Sequence, residues 1–112
     1  MEKTYKSMSY NKDVIFTGYV SEIFLNSIIK EAKCLCFVSL FEGFGLPIIE
    51  AMKCGTPVIT SNVSSMPEIC GDSGLIVDPL NVIEIANAIQ KIKNDKNLCN
   101  KLIESGIKRS QI

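Results

Sequence analysis

The chain has 112 residues, 46% of them hydrophobic, and its 12 basic side chains balance 12 acidic ones. A chain of this length and composition builds one globular domain, and its neutrality argues against an electrostatic nucleic-acid or membrane surface. It contains no histidine, which excludes histidine bases, histidine metal ligands and Ser–His or Cys–His nucleophiles. Because the charges balance, we expect no nucleic-acid partner.

Four short apolar runs predict β-strands, at residues 14–17, 34–38, 58–60 and 75–77. After the first run, Ser21 is placed to cap a helix that ends before the second run. After the second run, the pattern predicts a helix over residues 47–53. Gly55 follows this helix at the position where glycine commonly ends one.

The second half of the chain predicts three further helices. Residues 65–68 (SMPE) match a capping box, which predicts a short helix that Gly71 ends. Asp78 is predicted to enter the next helix, and a last helix is predicted from about Asp95. The clearest amphipathic stripe in the chain lies on the helix between them and comprises Val82, Ile85, Ala86, Ile89 and Ile92.

Strands and helices alternate, and each predicted strand is continuously apolar. This pattern predicts an α/β fold, a Rossmann-like parallel sheet flanked by helices. We divide the chain into a truncated lead-in segment, residues 1–13, and a partial Rossmann-like domain, residues 14–112. The sequence contains no signal peptide and no apolar run long enough to span a membrane, so we expect a cytoplasmic protein.

The chain has five cysteines: Cys34, Cys36, Cys54, Cys70 and Cys99. An odd number without CxxC spacing is poor support for a disulfide framework or a zinc site. We interpret them as small hydrophobic residues in a reducing compartment.

Residues 39–50 (SLFEGFGLPIIE) run from the end of a predicted strand into a helix, which is where open α/β sheets bind ligands. The prediction puts Leu46 at the N-cap and Pro47 first in the helix, so the helix N–H groups lack a side-chain cap and can bind an anion. Gly43 and Gly45 allow the backbone to approach a phosphate. Glu50, one turn into the helix, is placed to accept hydrogen bonds from ribose hydroxyls.

Residues 42–47 (EGFGLP) together with Glu50 resemble the E-x₇-E signature of the GT4-type, or group 1, retaining glycosyltransferases. The likeness extends over residues 16–20 (FTGYV), 50–59 (EAMKCGTPVI), 66–68 (MPE) and 74–79 (GLIVDP). Several motifs in the right order make it far more specific than a single Gly-x-Gly.

The resemblance implies the C-terminal, donor-binding domain of a GT-B enzyme, a hexosyltransferase that moves a sugar from a nucleoside diphosphate to an acceptor. It implies that Glu50 holds the ribose and that Glu42 contacts the transferred sugar as the catalytic carboxylate. The contacts to diphosphate and sugar would come from backbone N–H groups of Phe44, Gly45 and Leu46, with Gly43 in the same turn. Val20 would lie near the base. The family implies no cofactor and no metal.

The chain also departs from the family pattern. The acceptor-binding N-terminal domain is absent, as is the opening strand and loop that usually supplies an arginine and a lysine to the diphosphate. We therefore expect the fragment alone to be inactive and its exposed cleft face to allow self-association. The alternatives are a non-catalytic nucleotide-binding or interaction remnant of the same fold, and another GT-B enzyme such as a nucleotide-sugar epimerase.

Overall fold

The computed structural model describes residues 11–40 and 46–111, which form three strands and five α-helices. In chain order these are α1 (Glu22–Glu31), β1 (Leu35–Phe37), α2 (Leu46–Lys53), β2 (Val58–Ser61), α3 (Met66–Cys70), β3 (Leu75–Val77), α4 (Val82–Asn94) and α5 (Lys96–Ser110). Single 3-10 turns cover Asn11–Asp13 and Gly71–Ser73. Within the described residues, no helix is both long enough and apolar enough to cross a membrane.

The three strands form one parallel sheet in the order β1-β2-β3. Cys36 is aligned with Ile59 across the first pair, and Thr60 with Ile76 across the second. The central strand β2 is buried at all four positions, as a strand covered on both faces requires. The predicted α/β class and three of the four predicted strands are thereby confirmed.

The strand predicted at residues 14–17 is wrong. These residues take no strand conformation in the structure, and the side chains of Ile15 and Phe16 are 82% and 55% exposed. A strand needs a hydrogen-bonded neighbour, and the described sheet ends at β1 without pairing to this run. The apolar pattern indicates strand propensity here, but none of the three described strands pairs with this run.

Side-chain caps begin three of the helices. Ser21 accepts a hydrogen bond from the Phe24 N–H at α1, as predicted, and Asp95 caps α5 in the same way. The capping box at residues 65–68 is wrong, because Ser65 makes no side-chain cap bond at α3. Helix α4 is capped by Asn81 rather than entered at Asp78, whose carboxylate instead accepts from the Leu80 N–H.

One face of the sheet carries the larger core, which we call the α2-side core. It comprises Ile29, Ile48, Ala51, Met52, Val58, Met66 and Cys70. Helix α2 packs on β1 and β2, α3 packs on β2, and α5 lies across α2. Gly55, at φ +73°, ends α2: its N–H donates to the Met52 carbonyl, and the Thr56 N–H donates to Ala51. Helix α2 is therefore held by the sheet on one side and by α5 on another.

The opposite face carries the smaller α4-side core, made of Ile59, Val77, Ala88 and Ile92. The stripe predicted on α4 is only partly right: Ile92 is buried and Ile85 half-buried, whereas Val82 is 77% exposed, with Ala86 and Ile89 also exposed. The helix has two adjoining apolar faces, and the sheet contacts the one that contains Ala88. Periodicity alone does not distinguish them.

Candidate nucleotide-sugar site

The candidate site lies at the carboxyl edge of the sheet. Ser39 and Leu40 follow β1 there, and Asn62 follows β2. Helix α2 begins at Leu46 after residues 41–45, and it leads back across the sheet to β2. The two described ends of the strand-to-helix connection that the sequence singled out, Leu40 and Leu46, therefore lie at the edge where parallel α/β sheets bind their ligands.

Two buried hydroxyls of β2 hold the end of β1 in place. The Thr60 hydroxyl donates to the Phe37 carbonyl at 2.8 Å, and the Ser61 hydroxyl donates to the Ser39 carbonyl at 2.7 Å. Both residues are fully buried. The sequence analysis did not predict that Thr60 and Ser61 position the site. The available signal was two hydroxyls in a strand predicted to be buried, because a buried hydroxyl without a hydrogen-bond partner is costly.

Helix α2 starts one residue earlier than predicted. Leu46 is its first residue rather than its N-cap, and Pro47 is the second. Proline in the first turn removes no helix hydrogen bond, because N–H groups there have no partner within the helix. The N–H groups of Leu46 and Ile48 therefore have no acceptor within the helix, and they lie at the carboxyl edge of the sheet with the positive end of the helix dipole behind them.

Glu50 lies one helical turn after Leu46, on the same side of α2 and away from the buried Ile48, Ala51 and Met52. Its side chain is half-buried. No side chain in residues 11–40 or 46–111 forms a hydrogen bond or ion pair with its carboxylate. A half-buried carboxylate without a described partner, beside helix N–H donors, is suited to accept hydrogen bonds from a ligand.

Val20 is placed at the same edge by helix α1. The Thr56 hydroxyl, which precedes β2, donates to the carbonyl of Ile29 near the end of α1 at 2.7 Å. That bond fixes the carboxyl end of α1 at the amino edge of the sheet. The opposite end of α1, with Ser21 and the half-buried Val20, is therefore at the carboxyl edge, and α1 packs against α2. The structure thus places Val20 at the same edge as the helix that carries Glu50.

The remaining predicted site residues, Glu42, Gly43, Phe44 and Gly45, lie outside the described residues. Their roles stay predictions. Of the predicted set, the structure describes Val20, Leu46 and Glu50.

A groove of about 910 Å³ lies elsewhere on the molecule. It lies between β3, α4 and the start of α5, and contains Ile76, Asn87, Lys91 and Asn94 among its lining residues. Of the predicted site residues that the structure describes, which are Val20, Leu46 and Glu50, none lines it. Its polar side chains belong mainly to exposed helix positions, so we assign the groove no part in the candidate site.

The five cysteines are free thiols. Burial raises the pKa of Cys34, with smaller contributions from neighbouring Cys36 and Cys99, and burial also raises the pKa of Cys36. Burial raises the pKa of Cys70 to about 11 against an opposing effect of Arg109. These three thiols therefore stay protonated and poorly nucleophilic at neutral pH. The described part of the chain holds no group of three or more Cys, Asp or Glu arranged to bind a metal ion.

Comparison with known proteins identifies the family. The model of the glycosyl transferases group 1 family matches residues 1–109. O-antigen chain mannosyltransferase B of Escherichia coli is 46% identical over 81 residues, which are 71% of this chain and 21% of that enzyme. MMP alpha-(1->4)-mannosyltransferase of Mycolicibacterium hassiacum is 30% identical over 102 residues, 88% of this chain and 25% of that enzyme.

Solved structures give the same result. Sucrose-phosphate synthase from Thermosynechococcus elongatus superposes with a TM-score of 0.86 at 34% identity, over 98% of this chain and 28% of that one. The C-terminal domain of a glycosyl transferase group 1 family protein from Francisella tularensis superposes with a TM-score of 0.85 at 28% identity, over 98% of this chain and 58% of that domain. The chain has the fold of part of a GT-B C-terminal domain, and it belongs to the group 1 glycosyltransferases.

Proposed function

We propose that this chain is the donor-binding portion of a retaining glycosyltransferase that moves a sugar from a nucleoside-diphosphate sugar to an acceptor. The observation that carries the proposal is the half-buried Glu50, which has no described partner and lies one turn into a helix that begins at the carboxyl edge of the sheet. In a group 1 family member, this arrangement fits a ribose beside Glu50 and a diphosphate at the start of α2.

The chemistry follows from charge. As the bond between sugar and diphosphate breaks, negative charge develops on the diphosphate, and N–H groups aimed at it from a helix N-terminus stabilise that charge without reorganising. In this proposal the N–H groups of residues 44–46 supply this stabilisation. Glu42 contacts the transferred sugar and Val20 contacts the base. No metal and no cofactor enter the proposed reaction.

The first experiment tests Glu50. Calorimetric titration of UDP, GDP and ADP into the chain identifies the preferred nucleotide, and Glu50→Ala is then expected to weaken its binding by about 1–3 kcal/mol, the scale of losing hydrogen bonds to a charged group. Glu31→Ala is the matched control, because Glu31 is exposed and ends α1 at the opposite edge of the sheet. Equal affinity of wild type and Glu50→Ala would move the ribose contact elsewhere.

A second measurement separates the two carboxylates. Glu42→Ala should affect a bare nucleotide much less than the corresponding nucleotide sugar, because the proposed partner of Glu42 is the sugar. A mannose donor is the first sugar to test, since two of the relatives are named as mannosyltransferases. Equal losses for nucleotide and nucleotide sugar would remove Glu42 from the sugar contact.

Transfer by this chain alone is not expected. Sugar transfer requires donor and acceptor to be held together in a water-excluding cleft, and proximity supplies a large part of the rate. The chain spans only about a quarter or less of the two mannosyltransferases described above. We propose that an N-terminal acceptor-binding domain completes the cleft and that the whole enzyme acts in the cytoplasm.

The test of this proposal is an assay of nucleotide release from nucleotide sugars in the presence of acceptor. The chain alone should release no nucleotide, and the chain joined to an N-terminal acceptor-binding domain should give acceptor-dependent release. Turnover by the 112 residues alone would contradict the proposal. Absence of turnover in both forms would favour the non-catalytic remnant.

A further inference from the structure

A groove runs along the outer edge of the sheet, between β3, α4 and the start of α5, and we call it the β3–α4 groove. Its volume is about 910 Å³, within the range of about 300–1,000 Å³ that is usual for ligand sites. Its lining includes Val77 and Ala88, which are only 3% and 5% exposed, so the base of the groove is apolar.

The walls of the β3–α4 groove carry uncharged amide side chains. Four of them contribute to its lining: Asn87, Gln90, Asn94 and Asn97. The Asn94 amide donates to the Gln90 side-chain oxygen at 3.3 Å, whereas the side chains of Asn87 and Asn97 form no hydrogen bond with another described residue. Each amide offers both a donor and an acceptor in one plane, so the walls can bond a ligand that is itself both donor and acceptor.

The charged side chains of the β3–α4 groove cancel. Two carboxylates and two ammonium groups contribute to its lining: Glu84, Asp95, Lys91 and Lys96. With no net charge, the groove lacks the electrostatic attraction that nucleic acids and other polyanions need. The ligand that its chemistry favours is therefore neutral and rich in hydrogen-bonding groups.

The outer edge of β3 offers little to an extended peptide. The Val77 carbonyl accepts from the Asn62 N–H, and backbone groups alternate in direction along a strand. Within β3, therefore, only the central residue, Ile76, directs its N–H and C=O outward. The next outward N–H, that of Asp78, donates to the Glu84 carboxylate at 3.2 Å. An added strand would find one residue to pair with, so a ligand in this groove is held by side chains.

The corner between α4 and α5 is fixed, which keeps the groove open in one shape. The Asp95 carboxylate accepts from the Leu98 N–H at 3.0 Å at the start of α5, and the Cys99 thiol donates to the Ile92 carbonyl at 3.0 Å. Ala88 meanwhile packs α4 against the sheet. A site whose walls are already in place loses less entropy when a ligand binds.

We propose that the β3–α4 groove binds a neutral oligosaccharide. A sugar chain presents hydroxyl groups that donate and accept, which the amides of Asn87 and Asn97 bond, and apolar C–H faces, which lie on the base of the groove. One end of the groove, at Val77 and Glu84, lies at the carboxyl edge of the sheet, the edge at which the helix carrying Glu50 begins. The groove thus holds the acceptor chain away from the reacting sugar, and this role rests on the proposed function.

The test uses nuclear magnetic resonance of the 112-residue chain labelled with ¹⁵N, because side-chain amides give signals of their own. The probes are an α-linked mannose tetrasaccharide, mannose, and glycerol at the same concentration of hydroxyl groups. The tetrasaccharide should shift the side-chain amide signals of Asn87 and Asn97 saturably and bind about tenfold more tightly than mannose, since it reaches both amides. Glycerol should leave these signals unchanged.

A matched pair of variants tests the contact. Asn87→Ala removes an amide that contributes to the groove, and Asn100→Ala removes one from an exposed position of α5 outside it. Alanine favours helix at both positions, so both variants should fold. Asn87→Ala should weaken tetrasaccharide binding about two- to tenfold, the effect of losing a neutral hydrogen bond, and Asn100→Ala should leave it unchanged.

Four results overturn the proposal: no saturable shift with the tetrasaccharide, equal shifts with glycerol, equal weakening by the two variants, or shifts confined to Val20 and the Glu50 helix. Equal affinity for mannose and the tetrasaccharide would remove the chain and leave a site for one sugar, which also contradicts it. Glu50→Ala should bind the tetrasaccharide as wild type does. Since no nucleotide is present, failure here is distinguishable from failure of the proposed function.

Discussion

The two faces of the sheet are covered very differently. On one, α2 and α3 lie on the strands and α5 lies across α2, so that Ile48, Ala51, Val58 and Met66 have no measurable exposure. On the other, α4 packs over β2 and β3, and Cys36 of β1 stays exposed. The helix that carries Glu50 therefore belongs to the better packed side of the molecule.

A ligand site needs side chains held within a narrow range of positions, and the α2-side core supplies that rigidity. On α1, by contrast, apolar side chains such as Ile23 and Phe24 are exposed.

The largest expected effect is at Ile48. Ile48→Ala removes a fully buried side chain between helix and sheet and should lower the free energy of unfolding by about 2–5 kcal/mol. Ile92→Ala, in the α4-side core, should cost less, because a site covered by fewer layers relaxes more easily. Urea unfolding followed by circular dichroism measures both. An equal or larger loss for Ile92→Ala would show that the α4-side core is packed as firmly as the α2-side core.

A smaller effect is expected at the end of β1. Thr60→Val keeps the shape of the side chain but removes the bond to the Phe37 carbonyl, at a cost of about 1 kcal/mol. Thr17→Val is the control, because the exposed Thr17 hydroxyl donates to the adjacent Gly18 carbonyl and to no other described residue, so its loss should stay within about 0.5 kcal/mol. The same denaturation curves decide this. A Thr60→Val change no larger than the control would mean that the hydroxyl does not hold β1.

The smallest effect on the free energy of unfolding at neutral pH is expected at Cys70. This effect grows at alkaline pH. Burial raises the pKa of this thiol from 9.0 to about 11 in the folded chain. The unfolded chain therefore releases the proton first, so the contribution of Cys70 to stability is complete below pH 9 and is lost as the pH rises to about 11. The stability of wild type should fall more steeply over this range than that of Cys70→Ala. Parallel slopes would show that the thiol titrates alike in both states.

Local signals predicted much of this fold. Strands β1, β2 and β3 correspond to apolar runs, Ser21 caps α1, and Gly55 ends α2 at the predicted place. Each of these features is determined by a few neighbouring residues, through strand propensity, a side-chain cap or a positive φ. The parallel order follows from their alternation with helices.

Features that depend on distant partners could not be predicted in this way. Residues 14–17 have strand propensity but pair with none of the three described strands, and α4 has two apolar faces of which the sheet contacts only one. At the site, Glu50 was predictable from its spacing, whereas the bonds from Thr60 and Ser61 to β1 depend on which strands are adjacent. Such pairings become visible only in three dimensions.

Arg109 joins parts of the fold that are synthesised well apart in time. Its guanidinium group donates to the carbonyls of Glu68 and Ile69 at 2.7 Å each, joining the end of α5 to α3 across forty residues. A nascent chain can form these two hydrogen bonds only after Arg109 has left the ribosome, and by then the sheet and α2 have already emerged. Until then the apolar side of α2 that α5 covers stays open to solvent, and a ribosome stalled before that point would present it to chaperones.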